Sequence, residues 1–114
     1  MEKGIDLREL EEDPRCEDWK RQRIERGFSS YDIWNFDNYL THVIADGLDI
    51  LARKDSYPDR NFDSYEEWQK YLIKIAEDLR EANELSSHYK FGEANKLLIS
   101  AFGRLTNVYW SLWT

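Results

Sequence analysis

The chain has 114 residues, which is enough for one hydrophobic core and too few for two ordinary domains. A hydrophobic content of 41% with 15% aromatic residues excludes disorder along the whole length. The formal net charge of −7 argues against non-specific binding to nucleic acid or to an anionic membrane, because both are polyanions. Neither is therefore expected as a partner.

Cys16 is the single cysteine, which excludes an internal disulfide and a cysteine-based zinc cluster and is consistent with a reducing compartment. The sequence has no apolar run near eighteen residues and no secretory signal at its start. We therefore expect a cytoplasmic protein.

Residues 1–13 form an acidic arm with few apolar side chains, which we expect to be mobile. The remaining residues, 14–114, are expected to form one helical bundle domain. Asp13-Pro14 is typical of an N-cap followed by proline at the first helical position. It predicts a helix that runs through about Glu25 and ends before Gly27.

The basic residues of this first helix admit two interpretations. Lys20, Arg21, Arg23 and Arg26 are candidates for contacts with phosphate, with Trp19 stacking on a base. The alternative is a solvated helix face that pairs with the acidic remainder of the protein. We favour the second interpretation because opposite charge lies close by in the sequence.

The stretch from Ser29 to Leu51 is predicted to be one central amphipathic helix. Ser29 and Asp32 form a capping-box-like start, and apolar residues then recur with the helical period. Asp37 projects from this apolar side, where an ionised carboxylate needs a partner or a shifted pKa. We expect a structural buried contact at Asp37 rather than a catalytic or ligand-binding role. The apolar side comprises Ile33, Phe36, Leu40, Val43, Ile44, Gly47, Leu48 and Leu51.

A motif in this region resembles a family of small uncharacterised proteins of bacteriophage and prophage genomes. Its residues are Gly27-Phe28-Ser29-Ser30, then Asp32-x-Trp34-x-Phe36-Asp37-x-x-Leu40, Tyr57-Pro58, Glu66-Glu67-Trp68-x-x-x-Leu72 and the ending Trp110-Ser111-Leu112-Trp113. The resemblance implies a phage protein in the cytoplasm of a bacterial host, and it supplies no catalytic residue. The family often has a longer basic segment where this chain has Asp46-Gly47-Leu48-Asp49.

Ser64 and Glu67 form the next capping box and open a helix with the clearest amphipathic stripe in the chain. The stripe comprises Tyr65, Trp68, Tyr71, Leu72, Ile75, Ala76, Leu79 and Ala82. Ile73 stands on the opposite, charged side and is a candidate contact residue. Four acids on that side are similar to the magnesium-holding helices of all-helical nucleotide pyrophosphohydrolases, but a solvated face is favoured. These acids are Glu77, Asp78, Glu81 and Glu84.

The last helix is predicted from a seam of apolar residues at three- and four-residue steps. The seam comprises Phe91, Ala94, Leu98, Ala101, Leu105, Val108 and Leu112. A second apolar surface beside the seam predicts that this helix is enclosed on more than one side, by its own bundle or by a partner subunit. Trp110 and Trp113 are candidates for an aromatic anchor, but we favour the core, because a small protein needs the area that they bury.

Together these patterns predict an all-α, single-domain bundle of three to four helices, with no metal site and no cofactor. His42 and Asp46 are one helical turn apart, but His88 lies far along the chain, so the sequence does not supply the third ligand that a metal site needs. The favoured function is a phage-encoded, non-enzymatic protein that binds a host protein, such as an inhibitor of antiviral defence. The alternative is a homo-oligomer that sequesters a small signalling nucleotide, and a metal-dependent nucleotide hydrolase ranks third. The candidate binding residues are Trp19, Arg21, Arg23, Arg26, Trp34, Asp37, Ile73, Trp110 and Trp113.

Overall fold

The computed structural model describes residues 14–54 and 62–113, and the regular structure within these ranges is helical throughout. The predicted all-α class is therefore confirmed. The described elements are α1 (Cys16–Arg26), α2 (Ser30–Ile33), α3 (Phe36–Arg53), α4 (Tyr65–Ser87), α5 (Phe91–Asn107) and a 3₁₀ helix (Tyr109–Ser111). The predicted arm, 1–13, and the motif Tyr57-Pro58 lie outside the described ranges. None of the helices in those ranges has the length and apolarity needed to cross a membrane.

The chain divides into two compact units, one ending at Leu40 and the other beginning at Thr41. In the first unit, α1 ends at Gly27, whose φ of 86° lies in the left-handed region that favours glycine. The N–H of Gly27 donates to the carbonyl oxygen of Arg23 at 2.9 Å. The predicted capping box then starts α2, because Ser29 Oγ accepts from the Asp32 N–H and Asp32 accepts from the Ser29 N–H.

The predicted central helix is interrupted at Trp34 and Asn35, which form a turn between α2 and α3. Asp37 therefore lies in the first turn of α3, where it is exposed and accepts a hydrogen bond from the Asn38 N–H at 2.8 Å. The prediction that Asp37 is buried was wrong. A carboxylate at this position instead faces the unsatisfied amides and the positive end of the helix.

The core of the second unit is built around α4. Trp68, Leu72, Ile75 and Leu79 are fully buried, as the stripe on this helix predicts. Polar contacts attach the neighbouring helices: the Tyr71 hydroxyl donates to the carbonyl oxygen of Arg104 at 2.7 Å. The α3 and α5 residues buried in the same cluster are Ala45, Leu48, Ala52, Ala101 and Leu105, followed by Val108.

Helix α3 packs on this core with a face other than its most apolar one. Ala45 and Ala52 are completely buried, whereas Val43 is 51% exposed and Ile50 is 50% exposed. Successive helical residues are turned by about 100°, so Ala45 lies nearly opposite Val43. Small alanine side chains leave room for the Trp68 ring in the same cluster. The prediction of a fully buried apolar side was wrong for Ile33, Phe36, Leu40 and Val43, which are exposed.

The aromatic ending also lies outside the core. Trp110 is 87% exposed and Trp113 is 54% exposed, so their predicted burial was wrong. The reason is a change of helical period. Helix α5 ends at Asn107, and the following 3₁₀ helix has three residues per turn, which shifts the direction of the side chains that follow Val108.

Candidate functional site

A bidentate ion pair joins α1 to α2 in the first unit. Arg23 Nε donates to Asp32 Oδ2 at 3.0 Å, and Arg23 Nη2 donates to Asp32 Oδ1 at 2.5 Å. Burial acts to raise the pKa of Asp32, but hydrogen bonds from Arg23 and Ser29 outweigh it, so this pKa lies below its ordinary value. The same pairing raises the pKa of Arg23. The guanidinium of Arg23 is therefore a structural partner of Asp32.

An aromatic cluster lies beside this ion pair. The ring centroid of Trp19 is 4.9 Å from that of Tyr31 and 5.9 Å from that of Trp34. The Arg15 guanidinium lies 4.8 Å from the Trp19 ring centroid and 5.0 Å from that of Trp34. Trp19 is buried, whereas Trp34 is 64% exposed. The structure thus brings the predicted residues Trp19 and Trp34 together, with only Trp34 largely open to solvent.

The other two arginines of the predicted phosphate site have partners within their own unit. Arg21 Nη2 lies 2.9 Å from Asp18 Oδ1. Arg26 Nε donates to the carbonyl oxygen of Phe28 at 2.9 Å, and its guanidinium lies over the Phe28 ring at 4.7 Å. A phosphate bound here would have to compete with these contacts, and with Asp32 for Arg23.

The four acids of the predicted acidic face on α4 are not all exposed. Asp78 is buried, with Lys74 Nζ at 3.1 Å and Arg104 Nη2 at 2.5 Å from its two carboxylate oxygens. Burial acts to raise the pKa of Asp78, but hydrogen bonds from Arg104 and Lys74 outweigh it and hold this pKa below its ordinary value. Within 14–54 and 62–113, no group of three or more histidine, cysteine or acidic residues is arranged to hold a metal ion.

Two further ion pairs attach α3 to α4. Arg80 Nη2 lies 2.8 Å from Asp46 Oδ1 and 2.6 Å from Asp49 Oδ2. Burial acts to lower the pKa of Arg80, but the hydrogen bonds to Asp46 and Asp49 outweigh it and raise this pKa. The acids of the Asp46-Gly47-Leu48-Asp49 segment therefore balance a cation within the fold.

An apolar groove of about 560 Å³ opens between α3 and the C-terminal part of the chain. None of its lining residues is charged. The residues from α3 are Val43, Ile44, Gly47, Leu48 and Leu51, and those from the C-terminal part are Phe102, Leu105, Thr106, Tyr109 and Leu112. This groove was not predicted from the sequence, although apolar residues of α3 extend beyond the predicted side at Ala45 and Ile50. Contact with one neighbouring helix cannot bury all of them.

Exposed aromatic residues adjoin this groove. Tyr109 lines the groove, and the Trp110 ring packs edge-on against it with ring centroids 5.1 Å apart. Ile73, on the outer side of α4, is 37% exposed as predicted. The exposed surface that we name the aromatic terminus comprises Tyr109, Trp110 and Trp113.

Comparison of the chain with protein-family models, curated proteins and solved structures finds no match.

Proposed function

We propose that the protein is a small, phage-encoded, non-enzymatic binding protein that acts on a host protein through its aromatic terminus. The observation that supports this proposal most directly is Trp110, which is 87% exposed. Tryptophan and tyrosine are enriched among the residues that contribute most binding energy at protein interfaces. Each buries a large apolar area while retaining a polar N–H or O–H for a hydrogen bond.

The local geometry supports the same proposal. Tyr109 is 55% exposed and Trp113 is 54% exposed, so three large aromatic residues lie within five positions of each other at the surface. The preceding residue, Val108, is 2% exposed and is part of the core cluster. The aromatic terminus therefore extends from a fixed point, which lowers the entropy lost when it binds a partner.

Phage origin and a host partner are supported by the resemblance to phage and prophage proteins. A component of antiviral defence is the first target class to test, because inhibition by a small binding protein needs no catalytic site. A stable complex is sufficient for such an inhibitor.

Affinity purification from infected host cells tests the proposal. We expect the wild-type chain to recover one host protein in stoichiometric amount, and the double variant Trp110→Ala and Trp113→Ala to lose it. Trp34→Ala is the matched control, because Trp34 is also an exposed tryptophan but lies in the other unit. Recovery of the bait alone by the wild-type chain, or equal recovery by the double variant, would refute the proposal.

A further inference from the structure

We propose that the apolar groove is occupied by α3 of a second copy of this chain, in a two-fold symmetric dimer whose α3 helices run antiparallel and cross near Gly47. This dimer interface goes beyond the proposed function and shares only Tyr109 with the aromatic terminus. It is assigned from the lining of the groove, the position of Gly47 and the exposed face of α3.

The groove suits an apolar helix. Its lining carries no charge, and it runs along α3 over two turns from Val43 to Leu51. Gly47 lies midway along that side of the groove. A Cβ atom added to Gly47 would meet nothing within 4 Å, so no neighbour within the described chain requires glycine there. Glycine inside a helix costs about 1 kcal/mol relative to alanine, and a close approach by another backbone would offset that cost.

The exposed face of α3 is itself an occupant of the required kind. Val43 and Ile50 are about half exposed and lie on either side of Gly47, seven residues apart. When two copies are related by a two-fold axis near Gly47, Val43 of each copy lies opposite Ile50 of the other. Each α3 helix then supplies both one wall of a groove and the side chains that fill its partner's groove. Such self-complementarity is the requirement for an isologous interface.

The charges and the available area are compatible with a dimer. Each copy carries a net charge of −7, so its contact surface must be free of unbalanced acids. Asp46, the acid next to Gly47, is paired with Arg80. A stable interface buries roughly 800 Å² per partner, and a buried aromatic residue supplies on the order of 150–250 Å². Phe102 (40% exposed) and Tyr109 (55% exposed) line the groove, and the exposed halves of Val43 and Ile50 on α3 add to that area.

Sedimentation equilibrium of the full chain tests the dimer with a substitution that has opposite effects on folding and association. Gly47→Ala should raise the thermal midpoint at concentrations where the chain is monomeric, because the added methyl group has open space and alanine favours the helix. The same methyl group should weaken association at least about tenfold, because it separates the crossing helices.

Gly103→Ala is the matched control. Gly103 is also helical, an added Cβ there also meets nothing within 4 Å, and it is not part of the groove lining. We expect the same gain in thermal midpoint with unchanged association. A wild-type chain that remains monomeric at about 100 µM, or equal association of the Gly47→Ala and Gly103→Ala variants, would overturn the proposal.

Cysteine cross-linking tests the antiparallel arrangement. A mixture of Val43→Cys and Ile50→Cys chains should form a disulfide-linked dimer under mild oxidation more readily than either variant alone. The parent chain, with its buried Cys16, is the control. Cross-linking that is strongest within one variant would contradict the predicted register. The double variant Trp110→Ala and Trp113→Ala should lose the host protein but still dimerise. That result would show that the dimer interface and the host-binding surface are distinct.

Discussion

Arg23 and Asp32 form a bidentate ion pair across the turn that connects α1 to α2, with donor–acceptor distances of 3.0 and 2.5 Å. The Asp32 side chain is 4% exposed, whereas that of Arg23 is 50% exposed. The same carboxylate accepts from the Ser29 N–H at 2.7 Å and so also completes the capping box. Within the described part of the first unit, Asp32 is therefore a buried carboxylate that fixes the orientation of α1 relative to α2.

Replacement of Asp32 by asparagine should destabilise the protein by about 2 kcal/mol, because a hydrogen bond to a charged group is lost in a buried position. Chemical denaturation followed by circular dichroism measures this difference. Asp37→Asn is the matched control, since Asp37 is exposed in the first turn of α3 and its charge there contributes less than about 1 kcal/mol. Equal effects of the two substitutions would contradict the role given to Asp32.

Acidification should reduce the stability of the fold through Asp32 and Asp78. Both carboxyl groups have folded-state pKa values below the ordinary aspartate value of 3.8. Their contribution is therefore fully present above that pH and is lost as the pH falls below it through the folded-state values. Urea unfolding between about pH 7 and about pH 2.5 measures the loss. The Asp32→Asn and Asp78→Asn double variant should show a flatter dependence on pH, and an unchanged dependence would contradict the assignment.

Removal of the Asp78 side chain should destabilise the second unit by about 2 kcal/mol, because the hydrogen bonds that Arg104 and Lys74 donate to this buried carboxylate are lost. Asp78→Ala is the substitution, and thermal unfolding is the measurement. Glu77→Ala is the control, since Glu77 is the neighbouring acid on the same helix and is exposed. A loss of similar size in the control would show that Asp78 has no special structural role.

The sequence predicted the buried face well on α4. On α4 the stripe faces a charged side, so Trp68, Leu72 and Ile75 could point only to the core. On α3 apolar residues also lie outside the predicted side, among them Ala45, Ile50 and Ala52, so the buried part could not be identified from the pattern. The contact was determined by the small volumes of Ala45 and Ala52, and close packing of that kind depends on the partner helix.

The misplacement of Asp37 arose from a helix break that no proline or glycine marks. The break at Trp34 and Asn35 is held by tertiary contacts, among them the hydrogen bond from the Tyr39 hydroxyl to the carbonyl oxygen of Gly27 at 2.7 Å. The pairing of Arg23 with Asp32 was equally hidden, because it depends on the chain direction after the left-handed Gly27. Neither feature could be predicted without the three-dimensional path of the backbone.

Truncation of a core tryptophan and of a surface tryptophan should have very different effects on the free energy of unfolding. Trp68→Ala should cost about 3–5 kcal/mol of unfolding free energy, because Trp68 is completely buried. Trp110→Ala should change the unfolding free energy by less than about 0.5 kcal/mol, because its side chain lies outside the core. Denaturation followed by circular dichroism gives both values. A large loss in the Trp110→Ala variant would place this residue in the core after all.

Titration calorimetry with the host protein recovered by the wild-type chain tests the central claim most directly. We expect Trp110→Ala to raise the dissociation constant at least about 30-fold. This is a loss of about 2 kcal/mol of binding free energy, as for a residue at the centre of an interface. Trp34→Ala should leave the constant within about twofold of the wild-type value. An undiminished affinity of the Trp110→Ala variant would contradict the assignment of the aromatic terminus as the binding surface.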